Sequence, residues 1–181
     1  MPFPRPKKRF YSEDELYEYA VGALARRMRT VAELKRLLRA RVEEAESEYG
    51  QTLIELVIRR LKDRGYLNDS QYAAYFSSLR RDNQKLGRRR VITDLKIKGV
   101  HGDVIDKAVD AAFEGVSEEK QAREYLRKKR MVKPAKGDQK ATARIFRQLI
   151  RAGFGSKTIF TILKNWNVDE EILSELESEA S

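Results

Sequence analysis

The chain holds no cysteine, one histidine (His101), four prolines and ten glycines in 181 residues. Without cysteine there can be no disulfide, thiolate zinc site or cysteine nucleophile. A lone histidine excludes His–His metal pairs, and no G-x-x-x-x-G-K-[ST] run is present to cradle a nucleotide. Long apolar stretches are missing too. The longest that includes a glycine, Ala20 to Ala25, falls far short of a bilayer span. Neither a cofactor nor a membrane is expected.

What is plentiful is charge. Lys and Arg number 38 against 28 Asp and Glu, a formal net charge of +10. Three of the prolines, Pro2, Pro4 and Pro6, share the start with Arg5, Lys7, Lys8 and Arg9. A secretory signal would continue with an apolar stretch, whereas Tyr11-Ser12-Glu13-Asp14-Glu15 follows here. Residues 1–11 are therefore expected to be a flexible basic arm, either a tail of little consequence or a contact to nucleic acid or an acidic surface. A cytoplasmic location is expected.

Apolar spacing is helical throughout. Leu16, Ala20, Ala23 and Leu24 form one stripe after Ser12-Glu13-Asp14-Glu15, where Ser12 and Glu15 have the capping-box spacing. Thr30-Val31-Ala32-Glu33 repeats that box ahead of Leu34, Leu37 and Leu38. Leu53, Ile54, Val57, Ile58 and Leu61 give a third helix that stops at Gly65, and Asn68-Asp69-Ser70 offers caps for a fourth. No period-two alternation and no Asn-Gly or Asp-Gly hairpin turn competes. The fold class is all-α.

Within the helices lies a repeat. Val91-x-x-x-Leu95-x-x-x-Gly99 is followed six residues later by Ile105-x-x-x-Val109, and Ile145-x-x-x-Leu149-x-x-x-Gly153 by Ile159-x-x-x-Leu163, offset by 54 at every position. A first copy fits at Leu34-x-x-x-Leu38 with Val42 in the glycine place, followed after an insertion around Glu43 to Tyr49 by Ile54-x-x-x-Ile58. Each copy has a further helix in front. The expected architecture is three tandem three-helix repeats, over 12–68, 69–115 and 116–168, then an acidic C-terminal segment over 169–181. Modules that bury their faces against neighbours are expected to give an elongated or bent molecule. Gly99 and Gly153 should take positive φ at the turns.

The run Leu61-Lys62-Asp63-Arg64-Gly65-Tyr66-Leu67-Asn68-Asp69-Ser70-Gln71-Tyr72-Ala73 resembles the signature of the RecX family, bacterial regulators of the RecA recombinase. The likeness continues through Arg80, Gly87-Arg88-Arg89-Arg90-Val91 and Leu95-Lys96-Ile97-Lys98-Gly99-Val100. It also takes in Arg27-x-x-Thr30-x-x-Glu33-Leu34-x-x-x-Leu38 and Phe146-Arg147-Gln148-Leu149-Ile150-Arg151-Ala152-Gly153-Phe154, with Ala152 where arginine is frequent. It extends from about Tyr17 to Trp166. The resemblance implies tandem three-helix repeats and a partner, the RecA nucleoprotein filament. It implies a negative regulator that restrains that filament's ATP hydrolysis, strand exchange and promotion of repressor cleavage, in recombination, DNA repair and the SOS response. It implies no catalysis by the chain itself and no consensus set of contact residues.

The charge is uneven. Residues 51–100 hold 12 cations and 5 anions, whereas the last 31 residues hold 3 and 6. Two clusters, Arg80-Arg81 and Arg88-Arg89-Arg90, mark the basic middle. Three cations at a helix start oppose the macrodipole. Local electrostatics does not account for them, and a fork onto phosphate or carboxylate would. The plainer alternative is a solvated face. A second block, Arg127-Lys128-Lys129-Arg130, runs on to Lys133 and Lys136, and there a helix end would itself favour cations. These nine residues are the candidate partner and DNA contacts. Arg59-Arg60 and Lys62-Arg64 read as the wet side of their helix. The aromatic residues Tyr66, Tyr72, Phe76, Phe113, Phe146, Phe154, Phe160 and Trp166 fall on apolar stripes or turns and read as core rather than as stacking platforms.

The residues leave a second reading open: an autonomous, sequence-independent nucleic-acid-binding protein. A carboxylate-metal nuclease is the third, disfavoured because no short acidic motif gathers on a predicted loop. Possession of a filament partner, contact with DNA phosphates and a monomeric state are the expectations carried forward.

Overall fold

A computed structural model describes residues 12–42 and 47–179. The expected basic arm over 1–11 and most of the insertion at 43–49 lie outside the described residues. The described residues are all-helical: α1 (Glu13–Arg26), α2 (Val31–Arg39), α3 (Glu48–Asp63), α4 (Asp69–Asp82), α5 (Arg88–Ile97), α6 (Gly102–Phe113), α7 (Glu118–Lys128), α8 (Gln139–Arg151), α9 (Ser156–Asn165) and α10 (Glu170–Glu179). None of these helices is long and apolar enough to cross a membrane.

Helix boundaries follow local chemistry. Ser12 accepts the Glu15 N–H, and Thr30 with Glu33 forms a complete capping box at α2. Asn68 Oδ1 accepts the N–H groups of Ser70 and Gln71 at the start of α4. At the other end of α3, Gly65 at φ +73° lets Tyr66 N–H reach Leu61 O at 2.9 Å, the six-to-one closure of a Schellman turn. Gly99 and Gly153 also take positive φ, +75° and +89°, as the repeat spacing requires.

The chain forms two compact units, one of residues up to 73 with 96–104, the other of 74–95 with 105 onward. In the first, the stripes of α1, α2 and α3 close a core of Leu16, Leu34, Leu38, Val57, Ile58 and Leu61. The Gly99 turn sits on the start of α2 in this unit. Thr30 Oγ1 donates to Lys98 O at 2.7 Å, and Lys98 Nζ pairs with Glu33 at 2.8 Å. A Cβ on Gly99 would run into that of Ala32. Burial pushes the Glu33 carboxyl up, but hydrogen bonds from Lys98 and the Thr30 N–H outweigh it and leave the group below its ordinary value.

The second unit makes the equivalent contact between its own residues. Gly87 N–H donates to Ala152 O at 2.8 Å, and the Gly153 turn lies against the first turn of α5. A Cβ on Gly87 would overlap the Gly153 carbonyl, and one on Gly153 would overlap the backbone of Arg90. Lys98 and Ala152 are 54 residues apart, the offset of the repeat. The core of this unit gathers Tyr125, Leu126, Ile145, Leu149, Phe154 and Ile159.

Two features of the sequence read differently once folded. The acidic end carries α10, whose Ile172, Leu173 and Leu176 join this core while its acids stay outside. Tyr66 is 58% exposed rather than packed, because the left-handed Gly65 turns the chain so that Leu67 points inward in its place.

Candidate partner and nucleic-acid interface

The nine candidate cations all lie in the second unit. Consecutive helical residues diverge by about 100°, so a run of three arginines cannot form one surface. Arg88 pairs with Asp110 of α6. Arg89 is exposed and has no ion pair among the described residues. Arg90 turns the other way, its Nε 2.9 Å from Oδ1 of Asp94, one turn on in α5. Arg80, from the end of α4, reaches Oδ2 of the same carboxylate at 3.4 Å and lies over the Phe76 ring. Arg81 forks onto Asp82 at 2.7 and 2.8 Å and donates to the Ala112 carbonyl. That fork lowers the Asp82 carboxyl and raises the arginine.

Arg80, Arg81, Arg88 and Arg90 therefore each have an acidic partner within the unit, and for Arg88 and Arg90 at the start of α5 these ion pairs offset the unfavourable macrodipole. Arg81 answers its sequence neighbour Asp82, and Arg90 answers Asp94 one turn on. The Asp94 partner of Arg80, the Asp110 partner of Arg88 and the Ala112 carbonyl beside Arg81 are brought close only by the fold. In the second block, Lys128 donates to the Asn83 carbonyl and Lys129 lies 5.8 Å from the Tyr125 ring centre. Arg130 takes φ +53° at the turn that ends α7, and Arg127 is exposed without an ion pair among the described residues.

The Arg80–Asp94–Arg90 clamp is the most buried charge arrangement of the set. The Asp94 side chain is only 9% exposed, whereas those of Arg80 and Arg90 are 26% and 47% exposed. Removing one partner of a fully buried pair costs several kcal/mol, and solvent access to both arginines reduces that here. Asp94→Ala is expected to lower unfolding stability by about 1–2 kcal/mol, and Arg90→Gln by less because Arg80 stays in place. Denaturant unfolding checks this. Equal midpoints for parent and Asp94→Ala would mean that the clamp contributes no stability.

Beside the clamp opens a cleft of about 320 Å³, reached also by Tyr125, Gln148 and Arg151. Gln148 donates to the Tyr125 hydroxyl at 2.6 Å, and the Arg80 Nε is buried with no hydrogen-bond partner. Three arginines and one carboxylate line the cleft, an excess of positive charge suited to an oxyanion. Among the described residues there is no cluster of three or more His, Cys, Asp or Glu that could hold a metal ion.

Arg151 belongs to a feature that reading by adjacency misses. Lys140, Arg144, Arg147 and Arg151 recur at intervals of four, three and four along α8, and all are exposed. Ile145, Phe146 and Leu149 occupy the opposite side, in the core. The signal was present as helical spacing of charge rather than as a cluster.

No protein-family model matches the chain. Over 162 residues it is 33% identical to a regulatory protein RecX of Deinococcus radiodurans, covering 88% of this chain and 72% of that protein. Over 134 residues it is 35% identical to a regulatory protein RecX of Myxococcus xanthus, covering 70% of each. Its fold is similar to the crystal structure of RecX from Lactobacillus salivarius, with TM-score 0.61, 18% identity and coverage of 86% of this chain and 96% of that one.

Proposed function

The chain belongs to the RecX family of regulatory proteins, and from that membership we propose that it is a negative regulator of a RecA recombinase. It acts without catalysis of its own, by binding the RecA–DNA filament and restraining ATP hydrolysis, strand exchange and repressor cleavage. Family membership carries the regulatory reading. The filament contacts are assigned to cations of the second unit, drawn from Arg80 and Arg81, from Arg88, Arg89 and Arg90, and from Arg127, Lys128, Lys129 and Arg130, which need not all share one face. Arg89 and Arg127 are the sharpest members, since their guanidiniums are exposed and have no ion pair among the described residues.

The test is inhibition of RecA ATP hydrolysis on single-stranded DNA. The parent is expected to inhibit well below stoichiometry with RecA. A variant carrying Arg88→Ser and Arg89→Ser leaves Arg90 on Asp94, and another carries Arg127→Ser and Lys129→Ser. Each is expected to need about tenfold more protein for the same inhibition, the factor that a loss near 1.4 kcal/mol produces. A parent without effect on RecA that still binds naked DNA would favour the autonomous nucleic-acid binder. Two folded variants that inhibit as well as the parent would remove these residues from the contact.

A further inference from the structure

We infer that the exposed face of α8 is a track for the sugar–phosphate backbone of nucleic acid, running from Lys140 through Arg144 and Arg147 to Arg151 and ending at the Arg90 cleft. This deepens the functional reading above by naming the chemistry gripped, and it is tested on nucleic acid alone.

The geometry is that of a row. At about 100° per residue the four side chains fall within an arc of about 60°, and at about 1.5 Å per residue they span about 16 Å. Each strand of a duplex places a phosphate every ~3.4 Å of axis, and an extended single strand spaces them more widely. The row therefore matches a few consecutive phosphates. Among the described residues no carboxylate pairs with any of the four. The row's one internal hydrogen bond runs from Arg151 Nε to Arg147 O at 3.3 Å, and Arg151 also lines the cleft.

Helix stability explains only part of the row. Arg147 and Arg151 near the C-terminus suit the macrodipole, but Lys140 in the first turn opposes it. A protein partner would call for aromatic or aliphatic anchors at the centre of the contact. Nothing of that kind lies between these cations: Ala143 and Gln148 flank them, and the half-exposed Ile150 points off the row. A positive, polar and regularly spaced face fits a phosphate backbone, which reads no base edge.

The experiment measures fluorescence anisotropy of a labelled oligothymidylate and of a duplex of equal length across a salt series. The quadruple variant Lys140→Gln, Arg144→Gln, Arg147→Gln and Arg151→Gln is compared with a control that removes as many exposed cations elsewhere: Arg59→Gln, Lys62→Gln, Lys157→Gln and Lys164→Gln. The row variant is expected to bind at least tenfold more weakly near 0.1 M salt and to flatten the single-strand salt slope by about 2–3, as loss of three or four phosphate contacts would. The control should stay within about twofold of the parent. The two probes tell whether single strand or duplex is preferred.

Phenylglyoxal labelling of the parent, read by mass spectrometry, needs no variant. Oligothymidylate should protect Arg144, Arg147 and Arg151 and leave Arg59 reactive. Equal losses in row variant and control, or no protection of the row, would overturn the assignment. A row variant that loses DNA binding yet still inhibits RecA supports the track and leaves the regulatory reading standing. Inhibition of RecA absent in the parent, with the row still protected, would sink the regulatory reading alone.

Discussion

Replacing Gly153 with Ala is expected to destabilise the second unit by about 3 kcal/mol or more, and with it the start of α5. Two effects add. At φ +89° an L-residue is strained, and a Cβ there overlaps the backbone of Arg90, which cannot swing aside as a side-chain tip could. The sign of φ alone is tolerable in this chain, since Lys85, Arg130 and Asn167 adopt φ of 53–58° without being glycine. Space decides. Gly65, at φ +73°, has nothing within 4 Å of where an added Cβ would sit, so Gly65→Ala should cost only about 1 kcal/mol. Denaturant unfolding of both variants checks the contrast. Equal costs would mean that the close approach of the Gly153 turn to α5 is not what constrains the position.

The second large effect concerns the repeated leucines. Leu95 and Leu149 are fully buried, each at the centre of its helix's inner stripe. Truncating either to Ala removes three carbons from a packed interior, and the surroundings relax only in part. The expected loss is about 2–5 kcal/mol for each. Ile97, two residues beyond Leu95 and 71% exposed, provides the comparison: Ile97→Ala should stay within about 0.5 kcal/mol of the parent. Were Leu95→Ala and Ile97→Ala to shift the unfolding midpoint equally, the stripe would be on the wrong side of α5.

Features set by a residue and its near neighbours were legible in the sequence. The N-cap at Ser12, the capping box at Thr30, the stop at Gly65 and the turns at Gly99 and Gly153 all depend on chemistry within a few residues. The candidate interface was legible only as charge density. Arg88, Arg89 and Arg90 look like one feature in a line of text, yet the helix sends them to Asp110, to solvent and to Asp94. The row on α8 was legible only as helical spacing of charge, not as a cluster, being contiguous in space and interrupted in sequence. The helix over Glu170–Glu179 was hidden by its acids, although Ile172, Leu173 and Leu176 carry the spacing of a buried stripe.

The seating of each glycine turn on an earlier helix start also has a consequence in time. Thr30 waits for Lys98, 68 residues later, and Gly87 waits for Ala152, 65 residues later. A ribosome adds about 5–20 residues per second, so each helix start stands incomplete for several seconds after it has been made. The nascent chain therefore does not fold as beads released one by one. The core of α1, α2 and α3 needs nothing beyond Leu67, but its contacts at the start of α2 are completed only when residues 96–104 have emerged. By then α4 and α5 are outside the ribosome without the partners they meet in the second unit. During that interval Gly87 and the apolar side of α5 are open to a chaperone or to a wrong neighbour, and the Gly153 turn ends the exposure when it arrives.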